Sequence, residues 1–335
     1  MKAKRIWQGL GALIILMALA VLPGKTWALD ALRIPVASPS SLSSLTEQVA
    51  IHRGFFKDIG YDAKIYSVSG GESAAVLSLE KGTIPFFGSD DNIPLAIRPK
   101  SNIKIVATSI NKLVYYLVAS SKVKSFKDLP QSGIKVGISS PTSGNVYVSL
   151  KLLEKHGIKK PRLLKVGGSS GRLAAVHAGK VDVGSLTFGK MLKAKEKGLT
   201  VLGSASDFVS EYAFIQVGMN KNWVKKNHDK AVALVGTLIR ACDYINRNRE
   251  ETIEILIAVK NKPGIARQMY DVQIAQEKVV PNRCGTTEKG INAYIKSAKW
   301  SKAIAPDLKI PPISSFTLPA LYEEGVAWFK KKTGR

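Results

Sequence analysis

Apolar positions along the chain fall into two periods. Short apolar runs bounded by Gly, Pro and Ser read as buried strands, while stretches with apolar residues three and four apart read as amphipathic helices. Strands are expected over 33–36, 63–68, 84–87, 103–109, 134–138 and 181–183, with another closed by Val166-Gly167-Gly168-Ser169. Helices are expected over 44–57, 73–79, 145–155 and 173–178. Ser44 and Glu47 stand at capping-box spacing at the start of the first. Beyond 219 the chain turns largely helical, with a strong apolar period through Ala231, Leu234, Leu238 and Ile245 and a last amphipathic helix over 322–329. Alternation of strand and helix favours α/β architecture, mainly parallel sheets covered by helices.

The pattern divides the chain. Residues 120–133 are polar and turn-rich, which places a first crossing between two lobes there, and 213–219 reads as the return. Lobe one is then 29–118 with 214–335, and lobe two is 119–213. The halves echo each other: Glu80-Lys81-Gly82 leads to a short strand and Gly88-Ser89, and Ala178-Gly179-Lys180 leads to another and Gly184-Ser185. Two lobes joined by a two-segment hinge leave a cleft, faced by the loops at strand C-termini.

The first residues carry a different signal. Lys2, Lys4 and Arg5 precede an apolar run from 10 to 22, broken by Pro23-Gly24 and followed by Thr26-Trp27-Ala28. Charge, apolar core and small-residue exit are the marks of a secretory signal peptide, here 1–28. The run falls short of the roughly 20 residues that span a bilayer, an uncleaved anchor being the alternative. No cysteine near the cut offers a lipid attachment point. The mature chain is expected to be soluble and periplasmic.

Charge and cysteines refine this picture. The formal net charge is +25, and removing Lys2, Lys4, Arg5 and Lys25 leaves +21. The basic residues are spread along the chain, with no Arg-rich tract and no zinc or RNP-type motif, so nucleic acid is not an expected partner. A positive surface attracts anionic ligands or lipid head groups. Cys242 and Cys284 can pair in an oxidising compartment, but Cys242 also lies on an apolar helical face where a buried thiol is ordinary. The sequence leaves both readings open.

Catalytic and cofactor signatures are missing. His52, His156, His177 and His228 have no metal-ligand spacing, and no C-x-x-C or G-x-S-x-G occurs. Gly167-Gly168-Ser169-Ser170-Gly171-Arg172 resembles a phosphate loop but lacks the Gly-Lys-Ser/Thr ending. No cofactor, metal or enzyme activity is expected. What recurs instead is a donor-rich loop before a helix: Ser40-Ser41, Gly70-Gly71, Thr142-Ser143-Gly144 and Gly168-Ser169. Helix-start N–H groups are unpaired and partly positive, and small hydroxyl residues let an anion reach them. Helix capping alone is the plainer role for any one of them. Ser89-Asp90 and Ser185, Thr187 and Phe188 complete the candidate ligand-binding set. Asp90 would accept from a ligand amine or cap the segment after it; Phe188 would stack on a ring or pack in the core.

The order of segments resembles the ABC-transporter solute-binding proteins for nitrate, sulfonate, taurine and thiamine-pyrimidine precursors. The residues that carry the resemblance are Gln48-Val49-Ala50-Ile51-His52-Arg53-Gly54-Phe55-Phe56-Lys57-Asp58-Ile59-Gly60-Tyr61-Asp62, then Pro141-Thr142-Ser143-Gly144, then Ala175-Val176-His177-Ala178-Gly179-Lys180-Val181-Asp182. One departure stands out: Thr83-Ile84-Pro85 occupies the first-lobe counterpart of Asp182, where the family often has an acid. Tripartite-carrier receptors usually show a glycine-rich opening after strand one, which residues 38–41 lack. The resemblance implies a type II periplasmic-binding-protein fold and a small organic ligand, expected here to be an anion, sulfonate- or pyrimidine-like. It also implies an ABC permease at the inner membrane as partner, with the protein acting as a monomer that closes on its ligand. The alternatives are an exported sensor partner of a membrane receptor and, less favoured, an enzyme on the same fold.

Overall fold

The computed structural model describes residues 29–36, 39–67, 72–139, 141 and 143–335. The expected signal peptide, Gly70, Gly71 and Thr142 lie outside the described residues. The strands are β1 (Asp30–Val36), β2 (Tyr61–Ser67), β3 (Phe86–Ser89), β4 (Ile103–Ile110), β5 (Tyr115–Ala119), β6 (Lys135–Ile138), β7 (Arg162–Lys165), β8 (Val183–Thr187), β9 (Thr200–Ser204) and β10 (Ile215–Asn220). The helices are α1 (Leu45–His52), α2 (Glu72–Lys81), α3 (Asn92–Ala96), α4 (Gly144–Lys155), α5 (Ser169–His177), α6 (Phe188–Glu196) and α7 (Lys221–Lys226). They continue as α8 (His228–Arg247), α9 (Arg249–Ala258), α10 (Pro263–Gln268), α11 (Glu288–Trp300), α12 (Ile313–Phe316) and α13 (Pro319–Thr333), with a π-helical segment over Met269–Gln276.

Two sheet systems organise these elements. In the first, β1 pairs in parallel with β2, and β10 runs antiparallel between β3 and β4; β1 lies beside β3. In the second, the order is β7-β6-β8-β5-β9, with β6 parallel to both neighbours and β5 antiparallel to both of its own. The same plan recurs: the reversed strand in each lobe is the one entering from the other. Apolar side chains pack on both sides of these sheets into one buried cluster, as strands covered by helices require.

The first crossing lies earlier than expected. β5 belongs to the five-stranded sheet, so residues 111–114, rather than 120–133, carry the chain across. Leu117, Val118 and Ala119 are wholly buried because β5 sits between two strands. The return runs over residues 208–214. The two Gly-Ser pairs also differ from expectation: Gly88-Ser89 ends β3, and Gly184-Ser185 lies inside β8. A Cβ at Gly184 would come within 3.3 Å of the Val176 side chain, so the strand lies tightly against α5 there. The Ser44–Glu47 capping box does not form. Ser44 Oγ donates to the carbonyls of Pro39 and Ser41, and Glu47 is buried.

The long period was legible where packing is helical. Ala231, Leu234, Leu238 and Ile245 all face the core on α8, which packs against α1 and α13. Gly236 and Gly325 let α8 and α13 touch: a Cβ at Gly325 would stand 2.6 Å from Val235 Cγ1. Cys242 on α8 is disulfide-bonded to Cys284, with Cα atoms 5.6 Å apart. Among the described residues no helix is long and apolar enough to cross a membrane.

Candidate ligand-binding site

A cavity of about 790 Å³ opens where strand ends of both sheets meet, within the ~300–1,000 Å³ that small-molecule sites occupy. Its wall takes Ile110 from the end of β4 and Val114 from the first crossing, Phe214 from the return and Ile215 from the start of β10, and the starts of α5 and α6 from the second lobe. Of the expected residues, Ser40, Ser41, Asp90, Gly168, Ser169, Thr187 and Phe188 line it together. Ser89, Ser143, Gly144 and Ser185 fall outside the lining. Ser89 and Ser185 are buried in their strands, Ser185 Oγ lying 2.8 Å from Ser149 Oγ. Ser143 is an acceptor for the Asn145 amide.

The start of α5 is built for close approach. Gly168 is the N-cap and has no side chain to offer, so the first-turn N–H groups remain for another acceptor. Gly171 must be glycine, since a Cβ there would stand 2.2 Å from the Val166 carbonyl oxygen. Ser169 Oγ accepts from the Thr187 N–H at 3.0 Å and from its hydroxyl at 3.3 Å, which fixes α5 against the start of α6.

Arg172, one residue further, dominates the electrostatics. Its side chain is on the cavity wall and only 3% exposed. Nε donates to the Ser185 carbonyl at 2.6 Å and Nη1 to the Gly167 carbonyl at 2.9 Å. Those carbonyls hold the guanidinium in place but do not neutralise it, and it makes no ion pair among the described residues. Burial accordingly pulls the Arg172 pKa below its ordinary value. Two amides with unpaired polar atoms share the wall. Asn145 Oδ1 has no hydrogen-bond partner, and neither polar atom of Gln273, 1% exposed, has one. The Tyr116 hydroxyl donates to both Glu277 oxygens at 3.0 and 3.1 Å.

Aromatic side chains supply the apolar part. Tyr115 and Phe214 line the cavity and meet edge-on at 5.8 Å between centroids. Phe188 lines the cavity and packs on Tyr116 at 5.7 Å, which is its core role. Sequence reasoning missed Asn145, Arg172 and Gln273 as cavity-lining residues. Arg172 alone had a signal, as the end of the Gly167–Gly171 glycine-serine run.

Comparison with known families places the chain. A model of the NMT1/THI5-like family matches residues 44–252, from the turn before α1 into α9. The chain belongs to the NMT1/THI5-like family. Comparison with curated proteins finds no match. Solved structures share the fold of this NMT1/THI5-like chain at low identity. The ligand-binding component of an ABC-type import system from Staphylococcus aureus, solved with zinc bound, superposes with a TM-score of 0.70 at 14% identity, covering 88% of this chain and 99% of that one. The periplasmic aliphatic sulphonate binding protein SsuA from Escherichia coli gives 0.64 at 17%, covering 86% and 92%. The desulfurization enzyme DSZB gives 0.63 at 12%, covering 89% and 99%. The two-lobed periplasmic-binding-protein fold expected from the sequence is the fold of this chain.

Proposed function

We propose that the mature chain is a periplasmic solute-binding protein that captures a small organic anion in the inter-lobe cavity and delivers it to an ABC permease at the inner membrane. Arg172 carries this reading. A buried cation without a carboxylate partner costs several kcal/mol, and an anion entering the cavity would offset that cost. The first-turn N–H groups of α5 add donors on the same side. Tyr115, Phe188 and Phe214 suit an apolar or aromatic body, and the likeness to a sulphonate-binding protein favours a sulfonate head. The Cys242–Cys284 disulfide fits an oxidising compartment, in keeping with the secretory signal.

The crossings at 111–114 and 208–214 are the proposed hinge. A ligand touching both lobes at once favours the closed state by differential contact. The DSZB likeness raises the enzyme reading, yet the described lining has neither His nor Cys, and Asp90 is its one carboxylate. The described lining residues thus hold no Cys–His pair of the kind nucleophilic catalysis uses.

A thermal-shift screen of sulfonates, carboxylates and pyrimidines tests the proposal, because a ligand of the native state raises Tm. Anions are expected to give the largest shifts. Shifts from neutral or cationic compounds alone would overturn it.

A further inference from the structure

Four lysines line the same cavity at a different depth from Arg172. Lys190 and Lys193 stand one turn apart on α6 and are half-buried, while Lys260 and Lys262 flank Asn261 between α9 and α10 and are exposed. The two pairs come from opposite lobes: α6 packs on β8, β5 and β9, whereas α9 packs on α1 and α8. The starts of α6 and α10 face each other, since a Cβ at Gly189 would lie 3.6 Å from Ile265 Cγ2. Both pairs therefore converge on one rim.

None of the four ammonium groups has an ion pair or hydrogen bond among the described residues. Burial first, and then the charge of Lys193, pull the Lys190 pKa below its ordinary value. Five cationic side chains face one carboxylate, Asp90, across a single cavity. One anionic head on Arg172 leaves the lysines at the rim uncompensated, and like charges on facing lobes oppose closure.

We propose that these lysines form a second anion subsite, so that the ligand is a dianion with an acidic group at each end of an apolar body. One group meets Arg172 in depth; the other is shared at the rim by lysines of both lobes and screens their repulsion as the lobes close. This rests on the anion reading of Arg172.

Calorimetry on the mature chain with two matched pairs separates the two claims: hexane-1-sulfonate against hexane-1,6-disulfonate, and benzenesulfonate against 4-sulfobenzoate. In at least one pair the diacid should bind about tenfold tighter or better. The double variants K190Q/K193Q and K260Q/K262Q should each bring that ratio close to one, with diacid affinity falling far more than monosulfonate affinity. Equal affinities within both pairs, or a preference that survives in both double variants, would overturn the second subsite and leave Arg172 standing. Failure of all four compounds to bind the wild type would overturn both.

Discussion

Trp300 at the end of α11 meets Tyr147 of α4 edge-on, with ring centroids 5.3 Å apart, and so joins the two lobes. Lys151 Nζ lies 5.0 Å from the same indole centroid, adding a cation–π contact from the same helix. An aromatic pair contributes about 0.5–1.5 kcal/mol and an exposed cation–π contact about 0.5–1. Trp300→Ala should therefore weaken ligand binding about tenfold and raise the radius of gyration of the unliganded protein in X-ray scattering. An unchanged radius and affinity would show that this contact does not hold the lobes together.

Gly171 sets how α5 meets β7's exit. The Val166 carbonyl stands where a Cβ would be, so Gly171→Ala has to push the first turn of α5 away. Overpacking of this kind costs about 1–3 kcal/mol. Both Tm and ligand affinity should fall, with affinity falling further than in a stability-matched variant distant from the cavity.

Glu47 is 2% exposed, and burial pushes its carboxyl up to about 7 from an ordinary 4.5. Oε2 has no hydrogen-bond partner. A carboxyl raised in the folded state favours folding fully below pH 4.5, and that contribution is lost as pH climbs to about 7. The change is worth about 3 kcal/mol. Glu47→Gln should match the wild type near pH 4 and unfold at higher temperature near pH 8. Parallel Tm profiles for the two proteins would refute the assignment.

The Cys242–Cys284 bridge closes a loop across a sequence separation of 42 residues that contains α9, α10 and the π-helical segment. On the chain-entropy model such a loop is worth about 4 kcal/mol. Reduction should lower Tm and destabilise the cavity wall that includes Lys260, Ile265, Met269 and Gln273. Calorimetric melts with and without reductant, at equal ligand concentration, check this.

The fold could be read largely from the sequence because alternation and helical period report packing directly. α8 followed its apolar period, and the strand–helix order predicted two lobes. The first crossing lies before β5 and not after it, because strand pairing depends on partners distant in sequence and the apolar run of β5 adjoins the crossing. The site was legible only in its loops. Gly168, Ser169 and Phe188 stood out by residue type, but the value of Arg172 comes from burial without a counter-charge, which no local pattern displays. The rim lysines were indistinguishable from other solvated lysines until α6 and the α9–α10 turn were brought face to face. Gln273 sits in a π-helical turn, where ordinary helical spacing does not predict which face is buried.

Arg172 is the proposed anion receptor of the cavity. Calorimetric titration of hexane-1-sulfonate into the wild type and Arg172→Met, both checked for native circular dichroism, tests it most directly. Removing one partner of a buried charge pair costs about 3–5 kcal/mol, so affinity should fall by a factor of about 100 or more. A folded Arg172→Met protein that binds as tightly as the wild type would rule Arg172 out as that receptor.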